Sequence, residues 1–363
     1  MSSFDFHGLT NVKIQGAGPL ADYFQKLYSE FKTDEVSNSA VDFHCTVVDE
    51  IEYSPDATFG APLDHFAQKG DDIYYRSGNT IIEFTDGMYD QIVCEKNSHP
   101  RIPQLLLEFK IRESMLEHDY IITHASSVVY KGETFVFPAW RHTGKTNTIL
   151  SLLQDGAEGY LSDDRVFLSK KESIKAFPTP IHLLSYNLKS FPELSDFSSV
   201  DRYRNCINER INTIASSRDS ILLRGLKLIS NTHLAKTDWT PAAEMFNCEI
   251  VEKTNFDKLI FLETHPEEEV SIRKYPSKKA FHFLRAVNYQ EWNSEIQDII
   301  QVLELVSDSN SIQFSNVSKF VKKETELARE LVENTDTYVL EIPEEEKWNK
   351  SLKSKLITKI QSI

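Results

Sequence analysis

The chain has 363 residues, enough to bury a sizeable core as one large domain or two medium ones. Its 55 acidic side chains against 40 basic ones leave a formal charge of -15, which argues against nucleic-acid or anionic-membrane partners. No apolar run has membrane-spanning length, the start lacks a basic-then-apolar leader, and Cys45, Cys94, Cys206 and Cys248 are scattered without a Cys-x-x-Cys pair, so a cytoplasmic globular protein with free thiols is expected.

Residues 9–15 alternate as a strand does. Pro19 opens a helix in which Leu20, Tyr23, Phe24 and Leu27 share a face. A strand follows over 41–48. Residues 71–75, 80–84 and 89–94 then read as a meander, joined by turns at Ser77-Gly78-Asn79 and Thr85-Asp86-Gly87. Pro103 is predicted to start a helix to residue 117 with Leu106, Phe109, Ile111 and Met115 inward. Residues 1–117 are thus expected to form a small α+β domain without a chemical constellation of its own.

Strands are predicted over 120–130 and 134–137, and the second runs into Ala139-Trp140-Arg141-His142-Thr143-Gly144-Lys145-Thr146. An amphipathic helix follows over 147–153, with Gly156 placed to end it. A β-prone run over 160–168 then carries Asp163 and Asp164. These are the parts of a phosphate site: helix-start N–H groups receive phosphates, a lysine neutralises them, and a hydroxyl with carboxylates holds magnesium. Ala139 stands where the G-x-x-x-x-G-K-[ST] pattern has its first glycine.

Lys170-Lys171-Glu172 reads as a hairpin turn into 174–177. Residues 185–220 are polar and helix-like, and read as an insertion that forms a lid or an acceptor-facing element. Strand character returns at 221–229 and 259–262. Helices are predicted over 278–292 (Ala280, Phe283 and Leu284 on one face) and 295–306 (Ile296, Ile299, Ile300 and Leu303). A further helix carries Val317, Phe320, Val321, Leu327 and Leu331. A last strand spans 337–342, and 343–363 is a charged, helical tail.

The nucleotide set on this reading is Ala139, Thr143, Gly144, Lys145, Thr146 and Asn147, with Arg165 and Arg224 placed either to reach phosphate or acceptor or to pair with surface acids. Arg141 and His142 are equally placed to touch phosphate or to be exposed loop tips. Lys145 would bridge the β- and γ-phosphates and the Thr146 hydroxyl would ligate Mg²⁺. If Asp163 and Asp164 both lie on one strand they face opposite sides, so one can serve magnesium and the other the acceptor. His124, alone on an apolar strand, reads first as a hydrogen-bonded core residue.

The order His124, Gly144-Lys145-Thr146, Leu153-Gln154-Asp155-Gly156, then Leu161-Ser162-Asp163-Asp164-Arg165-Val166 resembles the catalytic core of HPr kinase/phosphorylase. More closely it resembles the HPr kinase-related proteins that share the phosphoenolpyruvate-carboxykinase-like nucleotide fold. Ile221-Leu222-Leu223-Arg224-Gly225-Leu226 is similar to the Glu-x-Arg-Gly signature, with Leu222 in place of the glutamate. The resemblance covers 120–229. It implies an α/β P-loop core, a mixed sheet flanked by helices, over 118–342, beside the smaller α+β N-terminal domain.

By the same resemblance Asp163 is the base that deprotonates a serine hydroxyl, His124 sits beside it, Lys145 holds phosphates, and Thr146 with Asp164 serves Mg²⁺. The implied activity is an ATP-dependent kinase acting on a hydroxyl of a small protein, a peptide or a small molecule, and related kinases are often homo-oligomers. Ala139 and Leu222 keep open a second class: a degenerate P-loop protein that binds nucleotide without transferring phosphate. The N-terminal region shows no clear match to the regulatory domain of HPr kinase.

Overall fold

The computed structural model describes residues 1–34, 41–60, 64–78, 80–141, 143–171, 173–181, 187, 190–192, 194, 245–246, 248–266, 269–306, 317–344 and 348–363. In chain order the first elements are β1 (Ser2–Phe6), β2 (Thr10–Gln15), α1 (Pro19–Leu27), β3 (Lys32–Thr33), β4 (Phe43–Val48), β5 (Ala57–Gly60), β6 (Asp64–Lys69), β7 (Asp72–Ser77), β8 (Thr80–Phe84), β9 (Gln91–Glu95) and α2 (Arg101–Glu117). Next come β10 (Tyr120–Tyr130), β11 (Glu133–Pro138), α3 (Lys145–Gln154), β12 (Gly159–Ser162), β13 (Arg165–Ser169) and β14 (Ser173–Ala176). The last are β15 (Glu249–Ile250), β16 (Lys253–Asn255), β17 (Lys258–His265), β18 (Ser271–Lys274), α4 (Ser277–Gln290), α5 (Ser294–Val306), α6 (Val317–Asn334), β19 (Thr337–Pro343) and α7 (Lys350–Ile360). This is a mixed α/β protein with two mixed sheets flanked by helices.

The chain divides into two compact units, the first holding Met1–His124, Phe167–Lys175 and Ser277–Thr335. Among its described residues nine strands run in the order β3-β1-β2-β4-β9-β8-β7-β6-β5. β2, β4 and β9 are parallel neighbours, and β9 to β5 continue as an antiparallel meander. Alternation explains the parallel core: Val12 and Ile14 on β2, and Phe43, Cys45 and Val47 on β4, all point inward. β1, β5 and β6 are strands that the sequence pattern does not announce.

The later helices of this unit occupy the three expected stretches, and Phe281, not Phe283, is the buried aromatic of α4. One buried polar cluster joins α2 to α6. Arg112 donates to Glu324 Oε1 from Nε at 3.2 Å and from Nη2 at 2.7 Å, and Trp292 Nε1 donates to the other carboxylate oxygen at 2.6 Å. The guanidinium also lies 4.3 Å from the Trp292 ring centroid and donates to the Asn288 carbonyl at 3.1 Å.

The second unit holds Ala125–Val166, Ala176–Pro276 and Asp336–Ile363. Its strands pair in the order β15-β12-β10-β11-β17-β19-β18. β11, β17 and β19 are parallel, and β10 and β18 flank them antiparallel. α3 and α7 bury Ile149, Leu150, Leu152, Leu153, Leu352, Leu356 and Ile360 in one apolar cluster with Phe137, Leu262 and Leu340. The chain leaves β11 at the carboxyl ends of these parallel strands, the side of an open α/β sheet where ligands bind.

The run over 160–168, read as one strand, is broken into β12 and β13 by a bend at Asp163 and Asp164. Ser162 is the cause. Its Oγ accepts the N–H groups of Asp164 (3.2 Å) and Arg165 (3.1 Å) and donates to the Phe177 carbonyl at 2.9 Å. The two carboxylates therefore do not alternate across a sheet.

Candidate functional site

The apolar β11 continues one residue past its end, where Ala139 bridges Leu262 in parallel and is wholly buried. Ala139 is thus a strand and core residue at the entrance to the loop. The loop then closes on itself: Thr143 Oγ1 donates to the Trp140 carbonyl at 2.7 Å. Gly144 follows at φ 92°, ψ 12°, a left-handed conformation that glycine adopts without the Cβ penalty. A Cβ there would also come within 2.6 Å of Trp348 Cζ2.

Lys145 begins α3, so the first amides of the helix have no intrahelical acceptors and the positive end of the helix dipole lies at the loop. The Lys145 side chain is buried, with Nζ 3.3 Å from the Asp164 carbonyl and 3.6 Å from Asp164 Oδ1. The Thr146 hydroxyl donates to Asp163 Oδ2 at 3.0 Å. Asn147 is turned elsewhere: its Oδ1 accepts from Asn187 Nδ2 at 2.7 Å, and both residues are buried.

Asp163 is 8 % exposed, and among the described residues its second oxygen, Oδ1, has no hydrogen-bond partner. Burial pushes this carboxyl up to about 6, against the pull of the Lys145 ammonium; Asp164 adds to the rise and the Thr146 hydroxyl opposes it. Asp164 is half exposed and lies 3.4 Å from Arg165 Nε. The site therefore sets one buried and one solvated carboxylate beside an ammonium, a guanidinium, a hydroxyl and a helix start.

His124 belongs to the first unit, where its Nδ1 lies 3.6 Å from Glu291 Oε1 and both side chains are buried. Arg224, Leu222, His142, Cys206, the strand expected over 221–229 and nearly all of the 185–220 insertion lie outside the described residues. Thr143, Gly144, Lys145, Thr146, Asp163, Asp164 and Arg165 are brought together in the second unit. Sequence reasoning missed Ser162, whose signal was available as a serine before two polar residues, a common side-chain-to-backbone turn. Trp348 and Asn187 gave no local signal.

No group of three or more His, Cys, Asp or Glu side chains among the described residues is arranged to hold a metal. Magnesium bound with phosphates needs fewer, since one or two carboxylates, waters and substrate oxygens complete its shell. The Thr146 hydroxyl and the half-exposed Asp164 carboxylate, with the Asp163 carboxylate beside them, fit that smaller demand. Among the described residues no helix is long and apolar enough to cross a membrane. No family model matches the chain, and no curated protein matches it in sequence.

Proposed function

We propose that this protein is an ATP-dependent kinase of the HPr kinase-related type, moving the γ-phosphoryl group of ATP to a hydroxyl of a protein, a peptide or a small molecule. The observation that carries this reading is Asp163, a buried carboxylate with one oxygen on the Thr146 hydroxyl and the other, among the described residues, without a partner, beside Lys145. A buried carboxylate oxygen left unpaired costs free energy, and a ligand atom that meets it removes that cost.

In this reading the amides at the start of α3 and Lys145 receive the β- and γ-phosphates, and Arg165 adds charge at the rim. Thr146 and Asp164 would hold magnesium, which would offset phosphate charge as the bond to ADP breaks. Asp163 takes the acceptor hydroxyl proton on Oδ1 while the acceptor's own oxygen bonds to the γ-phosphorus and the bond from that phosphorus to ADP breaks. A carboxyl near 6 suits this role, being ionised at neutral pH yet a stronger base than an ordinary aspartate.

The Thr146–Asp163 hydrogen bond supports a second assignment within the same reaction. It sets Asp163 on the metal with Thr146 and leaves the solvated Asp164 to meet the acceptor. Incubating cell extract with γ-labelled ATP and the protein, then finding the labelled species by mass spectrometry, tests the activity. Asp163→Asn is expected to retain nucleotide and lose transfer by about a hundredfold or more. Equal loss of both would assign Asp163 to magnesium, and nucleotide binding without transfer in the wild type would leave a nucleotide-holding protein.

A further inference from the structure

We infer that Trp348 is a positioning residue for the phosphate loop, and that the C-terminal helix α7 thereby sets the affinity for phosphates; this rests on the kinase reading above. Gly144 is the hinge of that loop, at φ 92° on the threshold of α3. The benzo edge of Trp348 fills the space that any Gly144 side chain would need, with Cζ2, Cη2 and Cε2 at 2.6, 3.4 and 3.5 Å from an ideal Cβ. A ring in that place leaves the loop one way to turn.

The ring is itself held from behind. Trp348 packs on the apolar cluster of the second unit, Asn349 Oδ1 caps α7 by accepting from the Leu352 N–H at 2.9 Å, and Leu352, Leu356 and Ile360 are at most 1 % exposed. At the other end of α7, Gln361 Nε2 donates to the Tyr130 hydroxyl, which donates to Asp155 Oδ2. Asp155 caps the C-terminus of α3. The C-terminal helix is therefore tied to α3 at both ends, at the loop through Trp348 and at the far end through Tyr130.

An anion site binds tightly when its donors are ordered before the ligand arrives, because ordering them afterwards is subtracted from affinity. With Trp348 removed, the loop gains room to leave the conformation in which Gly144 turns the chain into α3. Trp348→Ala is expected to weaken Mg·ATP by about tenfold or more by titration calorimetry. Inorganic tripolyphosphate with magnesium, which has no base or sugar, is expected to weaken by the same factor. Trp348→Phe, which keeps a ring, is expected to fall between, and it carries the test if the alanine variant does not fold.

Gly144→Ala supplies the reciprocal arm. Its loss of affinity is expected to be smaller in the Trp348→Ala background, where the clash is relieved and only the backbone strain remains. A lowered melting temperature with both affinities unchanged would overturn the proposal, as would loss of ATP affinity alone, which would place the indole on the base. Wild-type protein that binds neither ligand would sink the kinase reading itself.

Discussion

Glu324 in the first unit and Asp163 in the second are buried carboxylates set in polar clusters, and the two are finished differently. Glu324 is met by Arg112 on one oxygen and by the Trp292 indole on the other. Among the described residues Asp163 is met by Thr146 on one oxygen only. Burial raises both carboxyls. A carboxylate with both oxygens answered inside the fold has a complete structural explanation, as Glu324 does for joining α2 to α6. A buried side chain with one oxygen unanswered does not, and this difference separates the brace from the candidate site.

The largest expected effect is on the brace. Glu324→Ala leaves the Arg112 guanidinium buried and unpaired, and is expected to destabilise the protein by about 3–5 kcal/mol in urea unfolding. A change below about 1 kcal/mol would show that the cluster is not the support described.

Asp163 is expected to respond in the opposite sense, and through pH. Its carboxyl goes from the ordinary value of 3.8 in the unfolded chain to about 6 in the fold, so the native state binds more protons between those values. The contribution to stability is present below the unfolded value and is lost as pH rises through 6. Two units correspond to about 3 kcal/mol. Without nucleotide or magnesium, Asp163→Asn should match wild type near pH 4 and exceed it by up to that amount near pH 7. Parallel stability curves for the two proteins would contradict the burial argument.

A smaller effect sharpens the comparison at the bend. Ser162→Ala removes a wholly buried hydroxyl that answers two amides and one carbonyl. A loss of about 2 kcal/mol is expected, together with altered nucleotide affinity because Asp163 and Asp164 are aimed by this turn. Unchanged affinity at reduced stability would detach Ser162 from the site.

The strand–loop–helix at the centre of the second unit is legible in the sequence because local chemistry decides it. Phe135, Val136 and Phe137 favour a strand, Gly144 supplies the left-handed turn, and Gly156 at φ 94° follows the helix. The break at Asp163 is not legible from periodicity, because β-prone apolar residues lie on both sides of it and one serine hydroxyl decides the outcome. β1 is concealed by Ser2 and Ser3, polar residues that are buried nonetheless. α7 lies in the stretch read as a charged, helical tail, and the lysines and serines there conceal only that Leu352, Leu356 and Ile360 are core residues. The return of Ser277–Thr335 to the first unit depends on long-range packing such as Arg112 with Glu324, which no local pattern records.

The most direct test of the central claim is Mg²⁺-dependent binding of ATP, read as the rise in melting temperature of wild type and of Lys145→Ala. With ATP at a hundred times its dissociation constant, wild type should gain about 2.7 kcal/mol of stability, and the alanine variant should lose most of that gain because the phosphate counter-charge is gone. Absence of any magnesium-dependent shift in wild type at millimolar nucleotide would contradict the account.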